Sequence, residues 1–310
     1  MTQKLAALTG GTGFLGGYVG AALEAAGWKV RRLMRPPRAV AADCVRGDLD
    51  DSAALDALVA DADVVVHLAG LVKASADCAF FHVNRDGCRN LAAAIARAAR
   101  PPRIVAVSSL AARHPELSAY AASKRAGEDA FRDAGLRPVV LRPTAIYGPG
   151  DREAATFLRA CESGTAVVPA APGARVTVIH AADVAAAVVA ACEDPACDGE
   201  TWELTDPHRE GYGWRELFER IAAADGARMR ILPLPRAAAT AFAALNAAAQ
   251  RVLGRAPMLT PGKVRELFHP DWSSAPERQP PERLWRPRID LADGIVETLR
   301  HLRTPASKLG

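Results

Sequence analysis

Residues Leu5–Gly16 near the start of the chain read LAALTGGTGFLG, a short apolar run that leads directly into regularly spaced glycines. Gly10, Gly13 and Gly16 leave room for a tight turn, for close approach of a diphosphate to the backbone, and for packing of a helix on a strand. The helix that follows presents free N–H groups and the positive end of its dipole to an anion. No Lys-Ser or Lys-Thr pair follows the glycines, so this is not a P-loop. The stretch predicts a nucleotide site after the first strand, with a purely structural turn as the alternative.

Outward from this turn, the first two thirds of the chain alternate β-rich runs with helical stretches. Each strand and helix pair spans about 30 residues, the size of a right-handed βαβ unit. The pattern predicts an α/β fold of the Rossmann type, a doubly wound parallel sheet with helices on both faces. The predicted strands are Leu5–Thr9, Lys29–Met34, Val64–Leu68, Arg103–Ser108 and Pro138–Leu141, and the predicted helices are Phe14–Ala26, Ser52–Val59, Phe80–Ala99 and Ala119–Ala134.

The regularity weakens after Pro143, and residues 143–178 are expected to contribute to the substrate cleft. We assign residues 1–198 to a dinucleotide-binding Rossmann domain and residues 199–310 to a smaller, mostly helical substrate lobe. The elements predicted in this second part of the chain are helices at Ala154–Ser163, Ala182–Ala191, Trp214–Ala224, Ala237–Leu253 and Leu291–Leu302, strands at Arg175–Ile179 and Trp202–Leu204, and a Pro-rich stretch at Pro270–Pro287.

Composition limits the classes of protein to which the chain can belong. At 310 residues, 50% hydrophobic and 24% charged, it has the balance of a globular protein, not of a disordered, collagen-like or coiled-coil one. No apolar run nears the roughly 20 residues of a membrane span and no signal-peptide pattern is visible, so a cytoplasmic protein is expected. The 6 cysteines form no CxxC pair, which predicts neither a disulfide framework nor a metal site.

The formal net charge of +4 is too small to indicate nucleic-acid binding, and no nucleic-acid partner is expected. The charge is unevenly distributed, since residues 228–310 hold 14 Lys or Arg against 7 Asp or Glu. In this basic part, residues 236–254 present a nearly continuous apolar surface that includes Phe242 and Leu245. Such a helix lies in a core, lines an apolar pocket or rests on the inner face of a membrane, and the sequence leaves the three interpretations open.

The second strand indicates which dinucleotide to expect. NAD sites usually place a carboxylate at the end of this strand, where it holds the ribose hydroxyls. Residues 30–35, VRRLMR, offer no carboxylate, whereas the Arg35 guanidinium suits the 2′-phosphate of NADP. NADP(H) is therefore the predicted cofactor. NAD(H) is the alternative, and in that case Arg35 and Arg38 are solvated loop residues. Asp48 and Leu49 are placed for the adenine, unless Asp48 caps the following helix.

Tyr120 and Lys124, which are one helical turn apart, are candidate catalytic residues. Tyr120 and Lys124 of the segment YAASK point to the same side of a predicted helix, unless they simply form an exposed helix face. A cation at Lys124 favours the phenolate form of Tyr120, which can exchange a proton with an alcohol or a carbonyl. Ser109, at the end of the preceding strand, is placed to hydrogen-bond the same substrate oxygen. The three residues indicate an oxidoreductase that acts on a CH–OH or C=O group.

These motifs resemble the extended short-chain dehydrogenases/reductases, the NAD-dependent epimerase/dehydratase superfamily. The resemblance implies that Ser109, Tyr120 and Lys124 form a catalytic triad and that Asn84 is structural. Asp183 also matches a position of the family, and a helix cap is a sufficient explanation for it. The matching segments are residues 9–16, residues 67–70 (HLAG), Asn84, Ser108 and Ser109, Tyr120 with Lys124, and residues 142–149 (RPTAIYGP), which cover residues 1 to about 190 in the family's order.

The resemblance also implies that the loop at 69–70 lines the cofactor and that the segment from Pro143 passes near the nicotinamide. Together with the glycine turn and the second strand, it gives a full set of expected cofactor contacts. They are Gly10, Thr12, Gly13, Phe14, Leu15, Gly16, Arg35, Asp48, Leu49, Leu68, Ala69, Gly70, Tyr120, Lys124, Pro143 and Ile146.

Departures from the family pattern narrow the expected reaction. Dehydratases of the family place Thr-Asp-Glu after the fifth strand, whereas residues 109–111 read SLA, so dehydration is not expected. Nucleotide-sugar members carry an Asn where this chain has Ala145, which weakens the epimerase alternative. Residues 142–150 are instead similar to the branch that contains the 3β-hydroxysteroid dehydrogenases, whose substrates are hydrophobic secondary alcohols or ketones. Among lipid-directed members, the chain resembles bacterial ceramide reductases, which implies reduction of a 3-oxo sphingolipid.

Two further expectations come from the resemblance. The chain is also similar to an accessory subunit of respiratory complex I, which implies a non-catalytic protein that binds NADP(H), although the intact set of Ser109, Tyr120 and Lys124 argues against it. Family members often dimerise through two helices, here Phe80–Ala99 and Ala119–Ala134, while alanine-rich faces also pack within one chain. A monomer or a homodimer is therefore expected.

Overall fold

The glycine-rich stretch folds as the sequence predicts. The computed structural model of the protein describes residues 3–35, 43–151, 164–253, 255–257 and 259–304. Strand β1 (Leu5–Thr9) is buried over nearly all its length and runs through the glycine turn into helix α1 (Phe14–Ala25). The helix predicted at Ala154–Ser163 lies outside the described residues.

The strands of the described residues fall into one large sheet and two small ones. After β1 they are β2 (Lys29–Met34), β3 (Cys44–Arg46), β4 (Val64–His67), β5 (Arg103–Val107), β6 (Val139–Pro143), β7 (Ala145–Tyr147), β8 (Thr165–Pro169), β9 (Val178–His180), β10 (Thr201–Leu204) and β11 (Arg230–Leu234).

The helices that follow α1 cover both faces of the large sheet and form most of the carboxyl-terminal part. They are α2 (Ser52–Val59), α3 (Asp77–Phe81), α4 (Gly87–Arg97), α5 (Ala119–Asp133), α6 (Ala181–Glu193), α7 (Trp214–Ala224), α8 (Arg236–Val252), α9 (Pro261–Leu267) and α10 (Leu291–Arg303).

The large sheet has the order β10-β6-β5-β4-β1-β2-β3, and all its strands are parallel. The order reverses between β1 and β4, because the chain builds outward from β1 in one direction and from β4 in the other. In open sheets of this kind, ligands bind at the carboxyl edge beside this reversal. The predicted doubly wound Rossmann-type sheet is confirmed.

Two apolar layers hold helices on the sheet. One core contains Leu23 of α1 and Val188 of α6, and the other contains Leu55 of α2, Ile95 of α4 and Phe131 of α5, all fully buried or nearly so. Burial of a side chain of this size stabilises the fold by about 1.5–3 kcal/mol relative to its exposure. Because both faces are covered, the central strands consist of nearly continuous apolar residues.

Three predicted elements differ from the structure. The helix predicted at Phe80–Ala99 is divided into α3, a π-helical turn at His82–Asp86, and α4. Only the end of the strand predicted at Arg175–Ile179 lies in β9, because Arg175 and the next residue form isolated bridges to loops instead. Strand β10 was predicted in the substrate lobe, but Trp202 pairs with Leu141 of β6 in the large sheet.

The position of β10 has a simple origin in chain connectivity. Helix α6 packs back on the large sheet beside α1, and the next strand then pairs in parallel with β6 and completes one more βαβ unit. The large sheet thus extends beyond residue 198, the predicted end of the dinucleotide-binding domain. The division of the chain into two domains remains a prediction.

The carboxyl-terminal part has its own apolar cluster. The small parallel sheets β8–β11 and β7–β9 pack with α7 and α10, and Phe218, Ile221, Ile295 and Leu299 are buried among them. Helix α8 is buried on one face only, with Ala239 and Ala243 against α9. Of the three interpretations that the sequence left open for this helix, a core position is therefore wrong. No helix in the described ranges is both long and apolar enough to cross a membrane.

A buried ion pair joins α5 to the two strands beneath it. The Arg142 guanidinium of β6 donates to both oxygens of Glu128, at 2.9 and 2.6 Å, and the Ser108 hydroxyl donates to the same carboxylate at 2.5 Å. Glu128 is 3% exposed. The paired carboxylate raises the pKa of Arg142 even though burial opposes this. Such a pair is costly to break from one side, because the remaining charge stays buried.

A histidine clasp, defined by Arg113, His114, His269 and Trp272, joins the loop after β5 to the carboxyl-terminal part. The centroids of the two imidazoles lie 4.2 Å apart, and the indole packs against both rings. Arg113 lies over the indole and donates to two backbone oxygens of residues 271–273. Burial lowers the pKa of His269, and the neighbouring His114 and Arg113 lower it further.

The buried pair predicts an asymmetric response on α5. Glu128→Gln should lower the free energy of unfolding by about 3–5 kcal/mol, because it leaves Arg142 buried without a counter-charge. The adjacent Asp129→Asn removes a half-exposed partner of Arg125 and Arg132 and should cost less than about 1 kcal/mol. Urea unfolding of both variants measures the difference, and equal losses would contradict the role given to Glu128.

The clasp predicts a loss of stability in weak acid. Because the pKa of His269 in the folded protein lies below its unfolded value of about 6.5, its contribution to stability is complete above that pH. The contribution is lost as the pH falls through the lower folded value. The melting temperature should therefore fall between about pH 7 and about pH 5.5 more steeply for the wild type than for His269→Asn. Parallel slopes for the two proteins would show that His269 does not contribute.

Candidate functional site

The predicted site residues lie along the carboxyl edge of the large sheet, where the ends of six neighbouring strands meet. They are Gly10, Thr12, Gly13, Phe14, Leu15 and Gly16 after β1, Arg35 after β2, Asp48 and Leu49 after β3, Leu68, Ala69 and Gly70 after β4, Ser109 after β5, Ile146 in β7 just after β6, Pro143 at the end of β6, and Tyr120 and Lys124 on α5.

The glycine turn brings the ends of β1 and β4 into close contact. Gly10 has a φ of +71°, and a Cβ there would lie 2.6 Å from the backbone nitrogen of Ala69 and 2.8 Å from the carbonyl carbon of Leu68. A Cβ on Gly16 would collide with the Gly10 carbonyl oxygen. Glycine is thus required at both positions, by backbone conformation at the first and by space at both.

The start of α1 fits a bound anion. No side chain caps this helix end, and its first turn holds no acidic residue. Thr12 and Gly13 in front of it are exposed, while Phe14 and Leu15 begin the helix and are half-buried. Because the first N–H groups of a helix need acceptors and attract negative charge, the diphosphate of a dinucleotide fits this end. The residues present are therefore compatible with a nicotinamide dinucleotide.

Three arginines at β2 have different surroundings. Arg31 donates to backbone oxygens at the end of α2, the shortest contact being 2.5 Å, and Arg32 pairs with Glu24 of α1 at 2.6 Å. Arg35 directly follows the strand at its carboxyl end and is exposed. The first two are engaged in holding helices on the strand, whereas Arg35 is exposed at the carboxyl edge of the sheet.

The segment after β3 is less specific. Asp48 is exposed, and its carboxylate accepts the N–H of Asp50 at 2.9 Å. Asp51 is the residue that caps α2, through a bond from the Ala54 N–H at 3.0 Å, so the alternative interpretation of Asp48 as the cap is wrong. Leu49 packs against the first residue of α4.

A buried polar chain lies under the loop that follows β4. Thr9 and His67 stand opposite each other in the parallel register of β1 and β4, and the Thr9 Oγ1 lies 2.8 Å from the imidazole Nδ1. The same hydroxyl accepts the Ala69 N–H at 3.3 Å. Since that oxygen is already an acceptor, its own proton is free to point to Nδ1. Both side chains are almost fully buried, so the loop at Ala69 is held from beneath.

The chain continues from His67 to Cys88 and Asn84. The imidazole Nε2 lies 3.4 Å from the Cys88 Sγ, and the thiol donates to the Asn84 carbonyl at 3.0 Å. Burial lowers the pKa of His67 to about 3, with a smaller contribution from the Lys124 ammonium. Burial also raises the pKa of Cys88 to about 12. At neutral pH the chain is therefore uncharged, which suits a position next to a buried ammonium.

Asn84 lies in the π-helical turn and connects two parts of the site. Its side chain accepts the Leu71 N–H at 2.7 Å, donates to the Leu71 carbonyl at 3.0 Å, and donates to the Ser123 hydroxyl at 2.9 Å. That hydroxyl in turn donates to the Tyr120 carbonyl at 2.7 Å. A Cβ on Gly127 would collide with the Asn84 carbonyl oxygen. Asn84 thus holds α5 at a fixed distance from the loop after β4, which agrees with the structural role expected for it.

Two of the three predicted catalytic residues, Lys124 and Ser109, lie at the end of β5. The Lys124 Nζ donates to the carbonyl of Val107, the last residue of this strand, at 3.0 Å. A Cβ built on Gly70 would lie 3.6 Å from the same Nζ, so the ammonium sits between the ends of β4 and β5. Burial lowers the pKa of Lys124, while Glu128 opposes that effect. Tyr120 lies one turn earlier on the same side of α5.

The two hydroxyl groups differ in how they are held. The Ser109 Oγ accepts the Ala111 N–H at 3.2 Å, which leaves its proton available to another acceptor. Tyr120 is half-buried and meets the ring of Phe80 edge to face, with 5.9 Å between centroids. Such packing limits the rotation of the phenol. A hydroxyl, a phenol and an ammonium therefore adjoin one edge of the sheet, a set that can donate protons to a carbonyl oxygen.

The remaining predicted contacts lie on the β6 side of the edge. Pro143 ends β6 beside Leu204 of β10. Ile146 pairs with Ile179 in the small sheet of β7 and β9 and packs against the core that contains α1. Both residues thus border the carboxyl edge, several strands away from Arg35 and Asp48, as expected for opposite ends of a long ligand.

Sequence reasoning missed two groups that support the site. One is the buried chain of hydrogen bonds through Thr9, His67 and Cys88. Thr9 and His67 are opposite each other in the parallel register of β1 and β4, and this register was the signal that could have predicted their contact. The other is Asp183, for which a helix cap was expected. That prediction is wrong, because His180 caps α6, while the Asp183 carboxylate accepts the N–H groups of Arg288 and Ile289 at 3.0 and 2.9 Å.

Comparison with known proteins agrees with this geometry. The model of the NAD dependent epimerase/dehydratase family matches residues 6–204. A ceramide reductase of Caulobacter vibrioides is 40% identical over 303 residues, which cover 96% of this chain and 94% of that protein.

Solved structures show the same fold at low sequence identity. A human epimerase family protein, solved with NADPH, superposes with a TM-score of 0.70 at 21% identity, covering 96% of this chain and 99% of the other. The UDP-glucose 4-epimerase of Thermus thermophilus, solved with NAD, gives a TM-score of 0.69 at 22% identity, covering 97% and 99%. With the family model matching well over half of its length, the chain belongs to the NAD-dependent epimerase/dehydratase family, the extended short-chain dehydrogenases/reductases, and is an NAD(P)-dependent oxidoreductase.

Proposed function

We propose that the protein reduces the 3-oxo group of a hydrophobic lipid, of the oxidised ceramide class, with NADPH as the preferred cofactor. The observation that carries the proposal is the contact of the Lys124 Nζ with the last carbonyl of β5, the strand that Ser109 follows, with Tyr120 one helical turn before Lys124 on α5. This strand end is next to β4 and two strands away from the glycine turn. A proton donor and a hydrogen-bond donor for one carbonyl oxygen are what this reduction needs from the protein.

In the proposed mechanism, the nicotinamide of a bound cofactor would supply the hydride for the carbonyl carbon of the substrate. Tyr120 gives its phenolic proton to the oxygen on which negative charge develops. Ser109 donates a hydrogen bond to the same oxygen, since its own oxygen already accepts the Ala111 N–H. Lys124 donates one N–H to the Val107 carbonyl and would offer the others to the ribose hydroxyls of the cofactor. Its positive charge also favours loss of the Tyr120 proton.

Two features support a lipid ketone as the substrate. Ala145 stands where nucleotide-sugar members of the family carry an Asn that helps to hold the substrate. The relative with 40% identity over nearly the whole of both chains is named for the reduction of a ceramide. A nucleotide-sugar epimerase is the other candidate, because solved epimerases share the fold. Such an enzyme would show no net consumption of NADPH.

The preference for NADPH depends on Arg35. This guanidinium is exposed at the carboxyl end of β2, no carboxylate occupies the end of that strand, and Arg31 and Arg32 are engaged elsewhere. A 2′-phosphate at this place would gain a charge-assisted hydrogen bond. The proposal also includes a cytoplasmic protein that acts as a monomer or homodimer and takes its substrate at a membrane surface.

Tyr120→Phe tests the proton donor. With NADPH and a long-chain 3-oxo ceramide in detergent, turnover followed by NADPH absorbance should fall by about 100-fold to 10,000-fold, because the oxygen has lost its acid. The dissociation constant for NADPH should change by less than about threefold, since the phenolic proton is directed to the substrate. Unchanged turnover, or loss of NADPH binding, would contradict the role of Tyr120. Absence of NADPH oxidation by the wild type would contradict the substrate.

Arg35→Gln tests the cofactor preference. Removal of the guanidinium should reduce the ratio of kcat/KM for NADPH over NADH by about 10-fold to 100-fold, the usual worth of a charge-assisted bond to phosphate. Arg31→Gln is the matched control, because Arg31 contacts only backbone oxygens of the α2 end among the described residues. It should leave the ratio unchanged. An equal effect of both substitutions would show that Arg35 does not contact the 2′-phosphate.

A further inference from the structure

Helix α8 has one apolar face that no other part of the described chain covers. Phe242 and Leu245 are 61% and 73% exposed, and Leu253 directly after the helix is 62% exposed. Ala238 and Ala249 lie on the same face by helical spacing and are also exposed. A neighbouring face carries Ala239 and Ala243 and is buried against α9, so the orientation of the helix is fixed. Large apolar side chains are rarely exposed together without a partner.

The chain segment that contains this face is rich in positive charge. Residues 226–265 contain seven Lys or Arg and not one Asp or Glu. Arg228, Arg230, Arg236 and Arg255 are all exposed, and within the described ranges none of them has an ion-pair partner. Charge complementarity therefore favours a partner that is negatively charged as well as apolar. An anionic bilayer offers both, with phosphate head groups above an apolar interior.

The same helix is connected to the catalytic helix by a short path. Ala243 of α8 packs with Val264 of α9. Two residues further along α9, the Glu266 carboxylate accepts the hydroxyl proton of Ser118, the residue that caps α5. Tyr120 lies in the first turn of α5. A surface that contacts α8 is therefore close to the end of the helix that carries the proposed proton donor.

We propose that α8 docks the protein on the surface of an anionic lipid bilayer, with Phe242, Leu245 and Leu253 inserted among the head groups. The proposal rests on the proposed function, since a reductase of a membrane lipid must meet its substrate at such a surface. A second copy of this chain is a poorer occupant, because a symmetric contact would bring two uncompensated positive surfaces together.

Vesicle flotation tests the docking without substrate or cofactor. The wild type should float with vesicles of phosphatidylcholine containing about one third phosphatidylglycerol, and much less with pure phosphatidylcholine or in high salt. Phe242→Ser combined with Leu245→Ser should reduce the partition coefficient on the anionic vesicles by at least about tenfold, because each change withdraws apolar surface from the bilayer. Val296→Ser on α10, where the valine is 38% exposed, is the matched control and should float like the wild type.

The possible outcomes separate the docking from the reaction. A wild type that does not float with anionic vesicles, or a double variant that floats as well as the wild type, would overturn the docking proposal. A wild-type dimer in light scattering that the double variant converts to monomer would also overturn it, since the face would then join two chains. Turnover of a short-chain, water-soluble 3-oxo amide, measured without vesicles, should be equal in both proteins. Its absence in both would refute the proposed function and leave the flotation result standing.

Discussion

The buried carboxylate of Glu128 fixes the helix on which the site depends. It accepts two hydrogen bonds from Arg142 at the end of β6 and one from Ser108 at the end of β5, so one side chain ties α5 to two strands. Lys124 lies one turn before it on the same helix and reaches the last carbonyl of β5. The distance between the ammonium and the sheet edge is therefore set by an ion pair that is largely buried.

Two other contacts hold the same helix from different directions. Asn84 in the π-helical turn holds α5 against the loop after β4, through Ser123 and Leu71. The carboxyl-terminal part holds its start, since Glu266 bonds to Ser118 and Arg265 donates to the Leu117 carbonyl. A helix held at its start, at Ser123 and at Glu128 keeps the backbone of Tyr120 in a fixed position, as the general acid role proposed for this residue requires.

Local signals in the sequence predicted most of the fold. The glycine turn, the apolar strands and the Tyr120 and Lys124 pair are properties of neighbouring residues, and the structure contains the turn, the sheet and the pair where they were expected. The need for glycine at position 10, where φ is +71°, is also a property of a single residue and could be predicted from the glycine turn. What could not be predicted joins residues far apart in the chain. The Ser118 bond to Glu266 spans 148 residues, and no periodicity contains it.

The wrong predictions for Asp183 and for strand β10 also result from contacts between residues far apart in the chain. Asp183 stands near a helix start, where a cap is the simplest interpretation, but the Nδ1 of His180 already accepts the N–H of Ala182. The Asp183 carboxylate instead accepts the backbone N–H groups of residues 288 and 289. Strand β10 was assigned to the lobe because the chain had become irregular before it. Its place in the sheet depends on the return of α6 to the sheet face, and that return is a matter of tertiary packing.

The candidate site lies at the carboxyl edge of the large sheet, and the basic carboxyl-terminal part that contacts α5 carries the exposed apolar helix α8. In the proposed function, hydride passes from the cofactor to the carbonyl carbon of a lipid ketone. The most direct test is mass spectrometry of the product formed from 3-oxo ceramide with NADPH carrying deuterium at both C4 positions. The account predicts one deuterium on the carbinol carbon and one NADPH oxidised per ceramide formed. Product without deuterium, or an epimerised nucleotide sugar formed without net NADPH oxidation, would contradict it.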